Sequence, residues 1–193
     1  MEILSKIFGS SARVKIMRLF LLNKNQGFTV KEVSKRSRAT LGLCQKELRL
    51  LKSINFIKKR GREWSFDPAF KYPRETEGLL ITAETISNET LVKTFKSTGR
   101  IKLLVISGIF IKNLDSRVDI LIVGDRIKKN RVDEGVRKLE AEIGMELSYA
   151  VFDTKEFIYR VNMYDKLVRD ILDFPHEVLL QAKELSTQTL KKA

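Results

Sequence analysis

The sequence predicts a mixed α/β (α+β) chain built from two unlike parts. Three observations predict it. The first is charge: the 193 residues carry a net +13, and residues 1–75 hold 18 Lys/Arg against 6 Asp/Glu, whereas residues 76–193 hold 19 against 18. The second is texture: helix-period apolar residues and one hairpin pattern fill the first part, and apolar, β-branched runs of strand length begin only after Gly99. The third is punctuation, with Pro68 and Pro73 marking a connector between the parts. The expected boundaries are 1–73 for the basic part, 74–98 for a linker helix, and 99–193 for an α/β domain with C-terminal helices.

Each element has a local reason. Ser10 or Ser11 caps a helix over 10–22 with Ile16, Leu19 and Phe20 on one stripe. Thr29 and Glu32 have capping-box spacing and open a short helix to about Ser37 that buries Val30 and Val33. A third helix runs from about Thr40 to Ser53. At about 100° per residue, Leu41, Cys44, Leu48 and Leu51 share its apolar side, extended by Leu43, Leu50 and Ile54. Gln45, Lys46, Arg49, Lys52 and Ser53 fall on the remaining third with Gly42, and Glu47 is the one charge in the apolar arc. Phe56–Arg60, the turn Gly61-Arg62, and Glu63–Phe66 read as a basic hairpin whose Trp64 packs the returning strand. Residues 74–97 read as a longer helix, with an irregular pattern around Thr82–Asn88 that allows a break. Beyond Gly99, strands are expected over Ile101–Ser107, Val118–Val123 and Glu146–Phe152. Helices are expected over Arg131–Ile143 (stopped by Gly144), from the capping-box pattern Asp153–Glu156, near Tyr164–Leu172, and from about His176.

Composition excludes several classes. Hydrophobic residues make up 43% of the chain, which is enough for packed cores. No apolar run approaches the roughly 18 residues needed to span a bilayer, and charges interrupt the N-terminus, so a soluble, cytoplasmic protein without a membrane partner is expected. The single Cys44 and single His176 argue against a disulfide, a Cys-based zinc site or a histidine-centred triad, and no cofactor is expected. Cys44, on the apolar arc, reads as a small core residue.

Helix Thr29–Ser37, the Arg38-Ala39 turn, helix Thr40–Ser53 and hairpin Ile57–Phe66 together resemble a winged helix-turn-helix over residues 8–70. The resemblance implies double-stranded DNA as partner. The third helix would lie in the major groove, with Gln45 available to adenine and Arg49 to guanine. The hairpin would lie along phosphates or in the minor groove. The DNA-binding residues so expected are Arg36, Arg38, Thr40, Gln45, Lys46, Arg49, Lys52, Lys58, Lys59, Arg60 and Arg62.

In the second part, strand Ile101–Ser107, Gly108, and Ser116-Arg-Val-Asp119 leading into Ile120–Val123 resemble the nucleotidyltransferase fold of the DNA polymerase beta type. Active members carry Gly-Ser after the first strand and Asp-x-Asp on the second, so that carboxylates at i and i+2 converge on divalent metal. Here Ile109 follows Gly108, Arg117 stands at the first Asp position, and only Asp119 of the pair is present. Glu146, Asp153 and Asp115 are the nearby carboxylates. The motif Gly108, Arg117, Asp119 therefore reads as vestigial, with no catalytic residue and no metal ligand expected.

The order of parts resembles prokaryotic transcriptional regulators that join a winged helix to such a domain. That resemblance implies a sequence-specific DNA-binding regulator acting as a homodimer, with the second domain serving dimerisation or the binding of a nucleotide or protein partner. The alternatives are a nucleotidyltransferase enzyme and an antitoxin-type component, each targeted by the winged helix.

Overall fold

The computed structural model describes residues 3–81, 86–113 and 115–185. They form a mixed α/β structure with two sheets. The chain divides into two compact units, Met1–Ile86 with Arg137–Glu146, and Ser87–Val136 with Leu147–Ala193.

The first unit begins with α1 (Ile3–Ile7) and α2 (Ser11–Leu22), the latter capped by the Ser10 hydroxyl, which accepts from the Arg13 N–H at 3.1 Å. A two-residue strand, β1 (Phe28–Thr29), precedes α3 (Val30–Ser37) and α4 (Leu41–Ser53). The hairpin β2 (Ile57–Arg60) and β3 (Glu63–Phe66) follows, then α5 (Pro73–Ile81). The expected capping box at α3 is present in both directions: Thr29 Oγ1 accepts from the Glu32 N–H at 3.4 Å, and Glu32 Oε2 accepts from the Thr29 N–H at 2.7 Å. Those bonds hold the Glu32 carboxyl below its ordinary range, the Thr29 backbone bond being the larger cause. β1 pairs antiparallel with β3, with Phe28 opposite Trp64, which makes a sheet of order β1-β3-β2.

The core gathers Val14 and Phe20 from α2, Val33 from α3, Cys44, Leu48 and Leu51 from α4, and Phe56, Trp64 and Phe66 around the hairpin. Each such side chain contributes about 1.5–3 kcal/mol on burial. Arg18 is buried with them. Its Nε donates to the Leu80 carbonyl at 2.8 Å and a terminal nitrogen to the Glu142 carbonyl at 3.0 Å. Gly144 lies against this backbone: its φ is +91° and an added Cβ would stand 2.8 Å from Leu19 N, so glycine is required there.

The second unit opens with α6 (Asn88–Lys96), capped by Ser87, and β4 (Arg100–Ile106). A short 3₁₀ turn at Gly108–Ile111 precedes β5 (Ile120–Asp125) and α7 (Lys129–Ile143), whose residues from Arg137 on belong to the first unit. Then come β6 (Tyr149–Phe152), α8 (Thr154–Asn162), α9 (Lys166–Asp173) and β7 (Glu177–Gln181). The sheet order is β6-β5-β4-β7; β5 and β6 are parallel and the other pairs antiparallel. β4 and β5 are central, and consecutive residues such as Leu103–Ile106 and Ile120–Val123 are all buried. That is why both read as unbroken apolar runs rather than alternating ones.

Two expectations change. Glu177–Gln181 form strand β7 rather than part of a helix: they pair with the open edge of β4, and this tertiary pairing outweighs local propensity. Residues 74–97 hold two helices, α5 and α6, separated within the Thr82–Asn88 stretch where the pattern allowed a break; positions 82–85 lie outside the described residues, as do 186–193. The second change is in the strand starts: β5 begins at Ile120 and β6 at Tyr149, so Val118, Asp119 and Glu146, expected within these strands, precede them.

Candidate nucleic-acid interface

The polar side of α4 is held outward by what its other side buries. Thr40 caps the helix, its hydroxyl accepting from the Leu43 N–H at 3.4 Å. The buried residues are Cys44, Glu47, Leu48 and Leu51. Glu47, the charge that the apolar arc contained, is paired: Arg13 Nε donates to its carboxylate at 2.7 Å, and another Arg13 nitrogen donates to the Phe8 carbonyl at 2.6 Å. This ties α4 to α2. Cys44 is a core residue; burial pushes its thiol up, and its contacts are Ser37 Oγ at 3.7 Å and the Ala39 carbonyl at 3.8 Å.

Gln45, Lys46, Arg49 and Lys52 are all exposed on one side of α4. Leu41 and Leu43, expected on the apolar side, are exposed as well, at 48% and 38%, and so is Ile54. The four buried residues span only about 100° of the helix circumference. Leu41 is the first residue of the helix and Leu43 lies beyond the arc's margin, so both stay partly exposed.

The hairpin continues the basic surface. Lys58 is half-buried, while Lys59, Arg60 and Arg62 are exposed around the turn at Gly61, whose φ of +57° suits glycine. The Lys59 ammonium stands 5.4 Å from the Trp64 ring centroid, which braces the strand. Arg38 is exposed in the left-handed conformation between α3 and α4. Arg36 is ion-paired: Glu146 accepts from its guanidinium at 2.6 Å, and the same group lies 5.1 Å from the Phe28 ring centroid.

In the second unit, the sequence-expected residues Gly108 and Asp119 are joined through backbone amides. Asp119 Oδ1 accepts from the Ile109 N–H at 2.9 Å and Oδ2 from the Ser148 N–H at 2.8 Å. Gly108 has φ +58°, and a Cβ there would collide with the Asp119 carboxylate. Arg117 is ion-paired with Asp170, a partner that sequence spacing could not indicate. Of the other nearby carboxylates, Asp153 caps α8 by accepting from the Glu156 N–H at 2.7 Å, and Glu146 pairs with Arg36 in the first unit. Among the described residues no group of three His, Cys, Asp or Glu gathers where it could hold a metal ion.

Comparisons with protein-family models, with curated proteins and with solved structures return no match for this chain. No helix among the described residues is long and apolar enough to cross a membrane.

Proposed function

We propose that the first unit is a DNA-binding module of the winged helix-turn-helix type. More particularly, we read the chain as a sequence-specific transcriptional regulator that binds duplex DNA as a homodimer. One observation carries this reading. The exposed polar face of α4 and the basic hairpin that follows it belong to the same unit, which also contains most of the chain's excess positive charge. α4 would supply base contacts through Gln45 and Arg49, and Lys52, Lys58, Lys59, Arg60 and Arg62 would supply phosphate contacts. The second unit would serve dimerisation or partner binding. Its single motif carboxylate, Asp119, is committed to two backbone amides, which disfavours nucleotidyl transfer as the alternative.

The test is selection of bound sequences from random duplex DNA, followed by a salt titration. With five cations on phosphates, affinity should fall with a log–log slope of about −4.5 per protomer. Arg49→Ala should relax preference at one base pair by about 1–3 kcal/mol, and Lys59→Ala should lower the slope by about 1 without changing the preferred sequence. Recovery of symmetric half-sites would support the dimer. Affinity that is indifferent to salt and to both substitutions would refute the reading.

A further inference from the structure

The first turn of α4 carries three residues with no evident role in the fold. Leu41 and Leu43 are the two exposed leucines described above. Gly42 lies between them, without the positive φ that favours glycine, and a Cβ built on it meets nothing within 4 Å. Glycine is disfavoured in helices relative to alanine, and neither backbone nor packing requires it here. At about 100° per residue, Leu41, Gln45 and Arg49 form one ridge, and the exposed arc runs from Leu41 to Leu43 with Gly42 at its middle. Apolar side chains thus border the cationic and amide groups of the face that the proposed function sets in the major groove.

We propose that Leu41 and Leu43 read thymine methyl groups, and that the target half-site contains thymine beside the base that Gln45 contacts. The inference rests on the DNA-binding reading. Among the four bases only thymine presents an apolar group, its 5-methyl, in the major groove, so an aliphatic side chain there selects T·A pairs. The surrounding cations, Lys46, Arg49 and Lys52, fit a polyanion. A protein partner for the two leucines would not account for that charge. Gly42 lets the first turn approach the groove floor closely enough for both leucines to reach methyls on either side of it. Gln45, one turn beyond Leu41, matches adenine.

The test uses the full chain and the tightest duplex recovered from the random pool, with each thymine of the half-site replaced in turn by uracil. The replacement removes only the methyl. At one or two positions binding should weaken about fourfold per methyl, the equivalent of one buried carbon. In the Leu41→Ala/Leu43→Ala variant the thymine and uracil duplexes should bind equally, while the thermal midpoint stays that of the unaltered chain. Uracil duplexes bound as tightly as thymine duplexes at every position would overturn the inference and leave the DNA reading standing. So would a variant that keeps the full discrimination. Recovery of no duplex at all would overturn the DNA reading and the inference together.

Discussion

The pairing of Arg13 with Glu47 makes the two partners unequal, and the inequality is measurable. The Glu47 side chain is 3% exposed and that of Arg13 22% exposed. Arg13→Ala strands a buried carboxylate on the side of α4 that also buries Cys44, Leu48 and Leu51, and removing one partner of a buried ion pair costs about 3–5 kcal/mol. Glu47→Leu removes the charge that had to be buried and fills its place with aliphatic carbon. The Arg13 left behind keeps its bond to the Phe8 carbonyl and has access to water. That substitution should cost about 1 kcal/mol or less, and Arg13→Met with Glu47→Leu should be neutral or stabilising. Trp64 is the single tryptophan of the chain and is buried in the first unit, so its fluorescence reports this unit. With a urea dependence of about 2 kcal/mol per molar, Arg13→Ala should lower the midpoint by roughly 2 M. A Glu47→Leu loss equal to that of Arg13→Ala would refute the reasoning, because it would mean that the pair as such, and not the avoided burial of a lone charge, sets the cost.

Other outcomes follow from single contacts. Thr29→Ala should cost about 1 kcal/mol in the same fluorescence assay, since α3 loses its reciprocal cap, and Thr29→Ser should restore most of it. Gly108→Ala should destabilise the second unit by more than about 2 kcal/mol in thermal unfolding followed by circular dichroism, because the side chain meets a left-handed backbone and displaces the Asp119 carboxylate. Lys102 bridges Asp125 at 3.0 Å and Glu184 at 2.6 Å. Bonds from Thr154 and then Lys102 hold the Asp125 carboxyl below its ordinary 3.8, and Lys102 holds Glu184 below its ordinary 4.5. Carboxyls lowered by folding stabilise the fold above their unfolded values, and that stability is lost as pH falls through the folded ones. Stability should therefore decline below about pH 4.5, and Lys102→Met should flatten that decline in urea titrations at a series of pH values. An unchanged slope would refute the assignment.

What the sequence made legible was what local chemistry dictates. Caps such as Ser10, Thr29 and Asp153, the glycine stops at Gly61 and Gly144, and the apolar runs of β4 and β5 depend on neighbours within a few residues. They stand where those patterns place them. What was illegible depends on distant partners. β1 is two residues long and exists because Phe28 meets Trp64 across the sheet. β7 exists because β4 has an open edge. Helical angle separated Cys44 and Leu48 from Lys46 and Arg49 on α4. It could not tell that Leu41 and Leu43 stay exposed, nor that Arg13, 34 positions away, would neutralise Glu47.

The same distinction decides how the second unit should be read. The resemblance proposed from the sequence would set Arg117 and Asp119 at the positions of a pair of metal-binding carboxylates, with Asp119 the one carboxylate kept. Its surroundings give it different work. A metal-binding carboxylate needs lone pairs directed at the ion and a second carboxylate converging on the same point. Asp119 instead turns Oδ1 to the amide after Gly108 and Oδ2 to the amide before Tyr149, thereby joining the turn after β4 to the approach to β6. Gly108 is needed because that carboxylate occupies the space of a Cβ, so the glycine of the motif has a steric reason independent of any phosphate. Arg117 finds its counter-charge in Asp170 on α9. Every charge of the motif is thus compensated locally, whereas seven of the 18 Lys/Arg of residues 1–75 lie on the α4 face and the hairpin.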